Sequence, residues 1–161
     1  HFTLVTVSLF ICMTEGRALV YNSFSLKSGG EVLYNIHVST RQKEEMVDIT
    51  RDIKRLVSEH GADKQVCIIY VPHTTAAVTV NEHADPDVKR DIIYGLKLIV
   101  PDQADYRHAE GNSPAHIKAS LLGSSQTLLI RQGQLVLGTW QGVFLAEFDG
   151  PRNRTVMVKL I

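Results

Sequence analysis

Residues 127–161 read TLLIRQGQLVLGTWQGVFLAEFDGPRNRTVMVKLI, and the pattern of this stretch decides the fold class. Four β-rich runs, Thr127 to Arg131, Leu135 to Trp140, Val143 to Phe148 and Thr155 to Ile161, are separated by turn residues. Gln132-Gly133 and Gly150-Pro151-Arg152-Asn153 supply such turns, because glycine and proline set the backbone angles that tight reversals need. The pattern predicts an antiparallel meander. Upstream, Val32 to Thr40 alternates β-formers with polar residues, the mark of a half-buried strand. Val66 to Val71 is apolar throughout and predicts a core strand, and Ala76 to Asn81 is another β-rich piece.

Three helices interrupt the strands. Ile49, Ile53, Leu56 and Val57 recur at helical spacing, and Gly61 is placed to end that helix. Asp85-Pro86-Asp87 is a strong helix start, with Asp85 as cap and Pro86 in the first turn. Its apolar face is Val88, Ile92, Leu96 and Ile99, until Pro101 stops it. After a polar loop from Asp102 to Asn112, Ser113-Pro114 opens a third helix that Gly123 ends. The expectation is an α+β domain with mixed and antiparallel sheets and three helices.

The chain has 161 residues, which points to one domain. A net charge of +0 argues against bulk electrostatic binding to nucleic acid or to an anionic membrane. Two cysteines, Cys12 and Cys67, cannot build a disulfide scaffold or a four-thiolate zinc site. The apolar segment Phe2 to Cys12 is too short to span a bilayer and lacks the marks of a signal peptide. Residues 1–31 are therefore expected to be an N-terminal extension, a strand or a cloning remnant, leaving 32–161 as the domain. A cytoplasmic location is the matching expectation.

The chemistry-bearing residues gather at element boundaries. In Pro72-His73-Thr74-Thr75 an apolar strand ends in a polar cluster. An extended chain from there would project His73, Thr75, Thr79 and Asn81 to one side. That wall either faces solvent or lines a site. His108 lies in the polar loop Tyr106-Arg107-His108-Ala109-Glu110-Gly111-Asn112, and His116 falls in the first turn of the third helix. The positive end of a helix disfavours an added cation, predicting an uncharged His116 ring, the form that binds metal. Free amide groups at the same helix start suit phosphate or carboxylate. Three imidazoles with one open position describe a catalytic zinc-type centre. The competing reading is that His108 and His116 tie the loop to the helix by hydrogen bonds. Gly138-Thr139-Trp140-Gln141-Gly142 interrupts a strand, so Trp140 either stacks on a flat ligand or fills the core at a bend. Glu82, Glu147 and Asp149 are candidate bases, and Arg107 and Arg152 candidate phosphate ligands.

Taken in order, the runs His73-Thr74-Thr75-Ala76, Asn81-Glu82, Ala84-Asp85-Pro86-Asp87-Val88, Tyr106-Arg107-His108, Ala115-His116-Ile117-Lys118-Ala119-Ser120-Leu121-Leu122-Gly123 and Gly138-Thr139-Trp140-Gln141 are distinctive. In that order they resemble the YjbQ-like family, also labelled secondary thiamine-phosphate synthase. The resemblance runs from about Val32 to the C-terminus. It implies an α+β subunit forming a homotrimer, with a polar pocket near a subunit boundary. It implies His73, His108 and His116 as ligands of a divalent ion (zinc, manganese or magnesium), with Glu82, Asn112 and Gln141 nearby. The implied activity joins a pyrimidine diphosphate to a thiazole phosphate, with Glu82, His108 and Gln141 as catalytic candidates. Thr75, Asn81, Arg107, Asn112 and Trp140 would hold the substrate. The alternatives are a metal-dependent hydrolase in which Glu82 activates water, and a trimeric binder of a small phosphorylated or anionic metabolite. His83 departs from the family, where asparagine is common.

Overall fold

A computed structural model describes the strand backbones of residues 5–14 and 17–26 and, with side chains, residues 32–161. The elements run β1 (Val5–Thr14), β2 (Arg17–Leu26), β3 (Leu33–Ser39), β4 (Glu45–Asp48), α1 (Thr50–His60), β5 (Val66–Tyr70) and β6 (Ala76–Glu82). They continue as α2 (Pro86–Ile99), α3 (Ser113–Leu122), β7 (Ser125–Arg131), β8 (Gln134–Leu135), β9 (Gln141–Glu147) and β10 (Asn153–Leu160). The strands form two antiparallel sheets, a larger one ordered β1-β2-β3-β10-β5-β7-β8 and a smaller one ordered β4-β9-β6. The α+β class expected from the sequence is the class observed.

The meander expected for residues 127–161 is not formed. Only β7 and β8 pair as neighbours, Ile130 opposite Leu135. Strand β9 leaves for the smaller sheet, where it lies between β4 and β6. Strand β10 returns to the larger sheet and inserts between β3 and β5. The reason is burial. All of Gly142 to Phe148 is buried, so β9 needs apolar cover on both faces and takes the centre of a sheet that has it.

The two sheets face each other across one core. Ile36, Val38, Cys67, Ile69, Val156 and Val158 come from the larger sheet, and Val47, Ala76, Val78, Val143 and Leu145 from the smaller. Helix α1 adds Ile53, Leu56 and Val57 to that core. The opposite face of the smaller sheet presents Met46, Ala77, Phe144 and Ala146 to Leu96 of α2 and Ala115 and Ala119 of α3. The layers are thus sheet, sheet and helices. The 66–71 run buries only Cys67, Ile69 and Val71 fully, so its strand is half-buried although its composition is apolar on both faces.

Helix starts match their chemistry unevenly. Asp85 caps α2 by accepting from the Asp87 amide at 2.8 Å, with Pro86 in the first turn. Ile99, expected on its apolar face, is instead 71% exposed, although Leu96 and Val100 on either side of it are buried. Gly61 ends α1 with φ −104, so its use is close approach: an added Cβ would sit 2.6 Å from the Val57 carbonyl oxygen. Gly123 ends α3 at φ +90, a conformation that favours glycine. Among the described residues, no helix is long and apolar enough to cross a membrane.

Candidate functional site

Strand β6 fixes where the expected site residues fall. It pairs with β9 along its whole length, from Ala76 opposite Glu147 to Glu82 opposite Gln141. Thr75, preceding β6, therefore stands about 23 Å from Glu82, at roughly 3.3 Å per residue. His73 and Thr75 belong to one end; Asn81, Glu82, Trp140 and Gln141 belong to the other. Helix α3 joins the first end, because Asn112 at its start donates from Nδ2 to Asp149 Oδ2 at 3.2 Å, two residues past Glu147. Within one chain the expected pocket is divided.

At the first end His108 and His116 come together. Their ring centroids are 5.4 Å apart in an edge-to-face arrangement, although eight positions separate them. The loop carrying His108 is moored at its start by Asp102, which meets Lys43 at 3.4 Å and the fully buried Lys118 at 3.6 Å. Burial pushes the Asp102 carboxyl up, but the Lys43 and Lys118 charges outweigh it and leave the carboxyl below its ordinary value. Lys118 in turn donates to Glu44 at 2.8 Å. Arg107 is exposed beside His108. Asn112 does not cap α3 through its side chain, and its Oδ1 atom is buried without a hydrogen-bond partner. The free amides expected at this helix start are few. Pro114 has none, and those of Ala115 and His116 point to the Asn112 carbonyl oxygen at 2.9 and 3.4 Å.

His73 is placed by β10. Its Nε2 accepts the Thr155 amide N–H at 2.9 Å, which puts the proton of the neutral ring on Nδ1. Burial lowers its pKa, and the neighbouring Arg154 charge lowers it further against the opposing pull of Glu147 and the backbone bond. A ring with Nε2 engaged and Nδ1 protonated donates; it has no lone pair left for a metal. Among the described residues no group of three His, Cys, Asp or Glu side chains is placed to hold an ion. The three-imidazole centre expected from the sequence does not fit one chain, which offers the His108–His116 pair.

Behind these groups sits a buried polar lock, only part of which is legible in the sequence. Arg154, 6% exposed, binds Glu147, fully buried, through Nε and Nη2 at 2.7 and 2.5 Å. Arg154 also donates to Thr75 Oγ1 at 2.8 Å, so Thr75 is held inside the lock. Glu147 further accepts from Thr40 Oγ1 and from the Phe148 and Asp149 amides. With every lone pair occupied, Glu147 has no capacity left to act as a base. Asp149 is held by Arg152 at 2.7 Å and by Asn112. A signal for Arg154 existed: it shares the inward phase of Val156, Val158 and Leu160, and an arginine on a core face demands a buried acid.

At the second end Trp140 is 63% exposed, so it is not a core tryptophan. Gln141 folds back, its Oε1 accepting from the Gly138 amide at 2.9 Å, and Asn81 Oδ1 accepts from the Glu82 amide. Glu82 is half-buried beside them. His83 contacts Asp48 at 3.3 Å, across a Gly142 that leaves no room for a side chain.

The family model for the UPF0047 protein YjbQ-like proteins matches residues 34–161. The chain belongs to the UPF0047 YjbQ-like family. A UPF0047 protein of Methanocaldococcus jannaschii is 51% identical over 131 residues, 81% of this chain and 95% of the relative. UPF0047 protein YugU of Bacillus subtilis is 44% identical over 81% of this chain and 99% of its own length. A crystal structure of a YjbQ/UPF0047 protein from Clostridium acetobutylicum superposes with a TM-score of 0.77 at 50% identity, covering 79% of this chain and 98% of that one. A YjbQ-like structure from Sulfolobus solfataricus gives 0.76 at 37% identity, covering 80% and 94%. The resemblance drawn from the sequence motifs is thereby established at the level of family and fold.

Proposed function

We propose that this UPF0047 chain binds a small phosphorylated metabolite at the start of α3 and there performs transfer of the thiamine-phosphate-synthase kind. In that reaction the ring nitrogen of a thiazole phosphate bonds to the methylene of a hydroxymethylpyrimidine diphosphate, and pyrophosphate leaves. The reading rests on the convergence of His108 and His116, with the unpartnered Asn112 Oδ1 at the start of the helix that carries His116. Two imidazoles can donate to phosphate oxygens, Arg107 can add a charged donor, and Asn112 Oδ1 awaits an amino or hydroxyl group. A divalent ion enters as a companion of the diphosphate, as magnesium commonly does, rather than as a resident of three imidazoles. A reducing, cytoplasmic setting suits the free, buried Cys67.

We also infer a homotrimer. Both outer helices expose large apolar side chains, Tyr94 and Leu98 on α2 and Ile117 and Leu121 on α3. Gly95, within α2, has no neighbour among the described residues that a Cβ would meet, so none of them calls for a residue that weakens a helix. A head-to-tail ring of copies is the closed arrangement in which one pocket draws residues from two chains. Light scattering on Leu98→Asp/Leu121→Asp against the parent chain tests the assembly; an unchanged mass overturns it. The activity is tested by incubating the protein with both precursors and magnesium and following thiamine phosphate. His108→Ala is expected to lower the rate by about 10²-fold, as for loss of a positioned acid–base group. No product above the His108→Ala background would end the transferase reading.

A further inference from the structure

A cavity of about 810 Å³ opens beside α1. None of His73, His108, Asn112 or His116 lines it, so it is separate from the histidine end, and His83 and Asp48 mark the side on which it borders the other end. Its floor is apolar, made by the buried Val38, Val47 and Ile49, with half-buried Leu135 at one side. The wall is α1 itself, which presents Arg51, Lys54, Arg55 and Ser58 along about 10 Å of helix, one face at 1.5 Å per residue. Volume and lining are those of a small-molecule site: apolar surface with a few polar groups to fix orientation.

Among the described residues, the charged side chains of the lining that lack a partner are positive. Asp48 accepts from the Thr50 amide at 2.8 Å and meets His83. Asp52 is buried and engaged within the chain. Arg55 pairs with Glu59 one turn on, at 3.5 Å. Arg51 and Lys54 have no carboxylate partner among the described residues. Two cations over an apolar floor select a ligand with an acidic head and an apolar body. A bare anion would leave the floor wet, and a hydrocarbon would leave the cations without a counter-charge.

We propose that this cavity binds a small amphipathic anion, its acidic head on Arg51 and Lys54 and its apolar body against Val38, Val47 and Leu135. The test is calorimetry on the full chain with octanoate, using acetate as head alone and octanol as body alone. Octanoate is expected to bind at least tenfold more tightly than either. Arg51→Gln/Lys54→Gln keeps helix-forming side chains and should weaken octanoate by about tenfold or more, the size expected for charge-assisted contacts. Leu135→Trp fills the side of the cavity without touching charge and should also weaken it. His116→Gln, at the other site, should leave it unchanged. Absent octanoate binding, equal binding by acetate, or full affinity in the double glutamine variant would each overturn the proposal. The double variant changes exposed side chains only, so the test does not depend on whether Leu135→Trp folds.

Discussion

Replacing Glu147 by glutamine probes the lock that positions the histidine end. Glu147 is fully buried and accepts from Thr40, twice from Arg154, and from the Phe148 and Asp149 amides. Glutamine keeps the shape but removes the charge, leaves the Arg154 guanidinium uncompensated, and turns one acceptor into an NH2 group facing donors. Removing one partner of a buried pair costs about 3–5 kcal/mol. At about 2–4 °C per kcal/mol for a chain of this size, Tm should fall by about 6–20 °C. Urea unfolding followed by circular dichroism measures the loss directly. The double change Glu147→Gln/Arg154→Met, which also removes the stranded cation, should lose less than the sum of the two single changes. A second readout separates this from generic damage. Burial and Arg154 lower the His73 pKa while Glu147 raises it, so Glu147→Gln should lower it further by NMR titration. A stability loss under about 1 kcal/mol, or a His73 pKa that rises, would refute the reasoning.

Three further outcomes follow from the same geometry. Burial raises the Asp149 carboxyl, but Arg152 and Asn112 bonds and the Arg152 and Arg154 charges outweigh it and hold it below its ordinary value. A depressed folded-state pKa gives stability that is complete above the unfolded value of about 3.9 and lost as pH falls through the folded one. Asp149→Asn should therefore flatten that part of the acid unfolding curve, and an unchanged curve would contradict the lock. Burial pushes the Cys67 thiol up to about 12, so maleimide labelling at pH 8 should follow global unfolding, located by peptide mass spectrometry; fast labelling of the native chain would refute it. An added Cβ at Gly142 would meet His83 Cβ and Thr50 Oγ1 at 2.7 Å each, so Gly142→Ala should destabilise by about 1–3 kcal/mol. Chemical denaturation measures it, and an unaltered midpoint would count against the close packing of β9 on α1.

Much of the local structure was legible. Asp85-Pro86-Asp87 announces α2 because a capping side chain and a proline act within one turn, and the structure holds that cap. The spacing of Ile53, Leu56 and Val57 marks the buried face of α1 for the same local reason. Strand β4 escaped notice because four residues give too short a period to read. The site was legible as parts. His108 and His116 were singled out by their settings, and they do converge. The grouping of Glu82 and Gln141 with them was not supported within one chain, because both lie at the far end of the β6–β9 pair.

From the sequence alone came the three helices, most of the strands, the α+β class, the family, and the residue types able to do chemistry. These are properties of a residue and its near neighbours, set by side-chain periodicity, caps and turns. Only the tertiary structure decided that β9 and β10 enter different sheets, that Glu147 and Arg154 neutralise each other, and that Asn112 leaves its helix for Asp149. A strand's alternation records which face is buried but not which strand lies beside it. That choice is made by the fit of whole surfaces far apart in the chain.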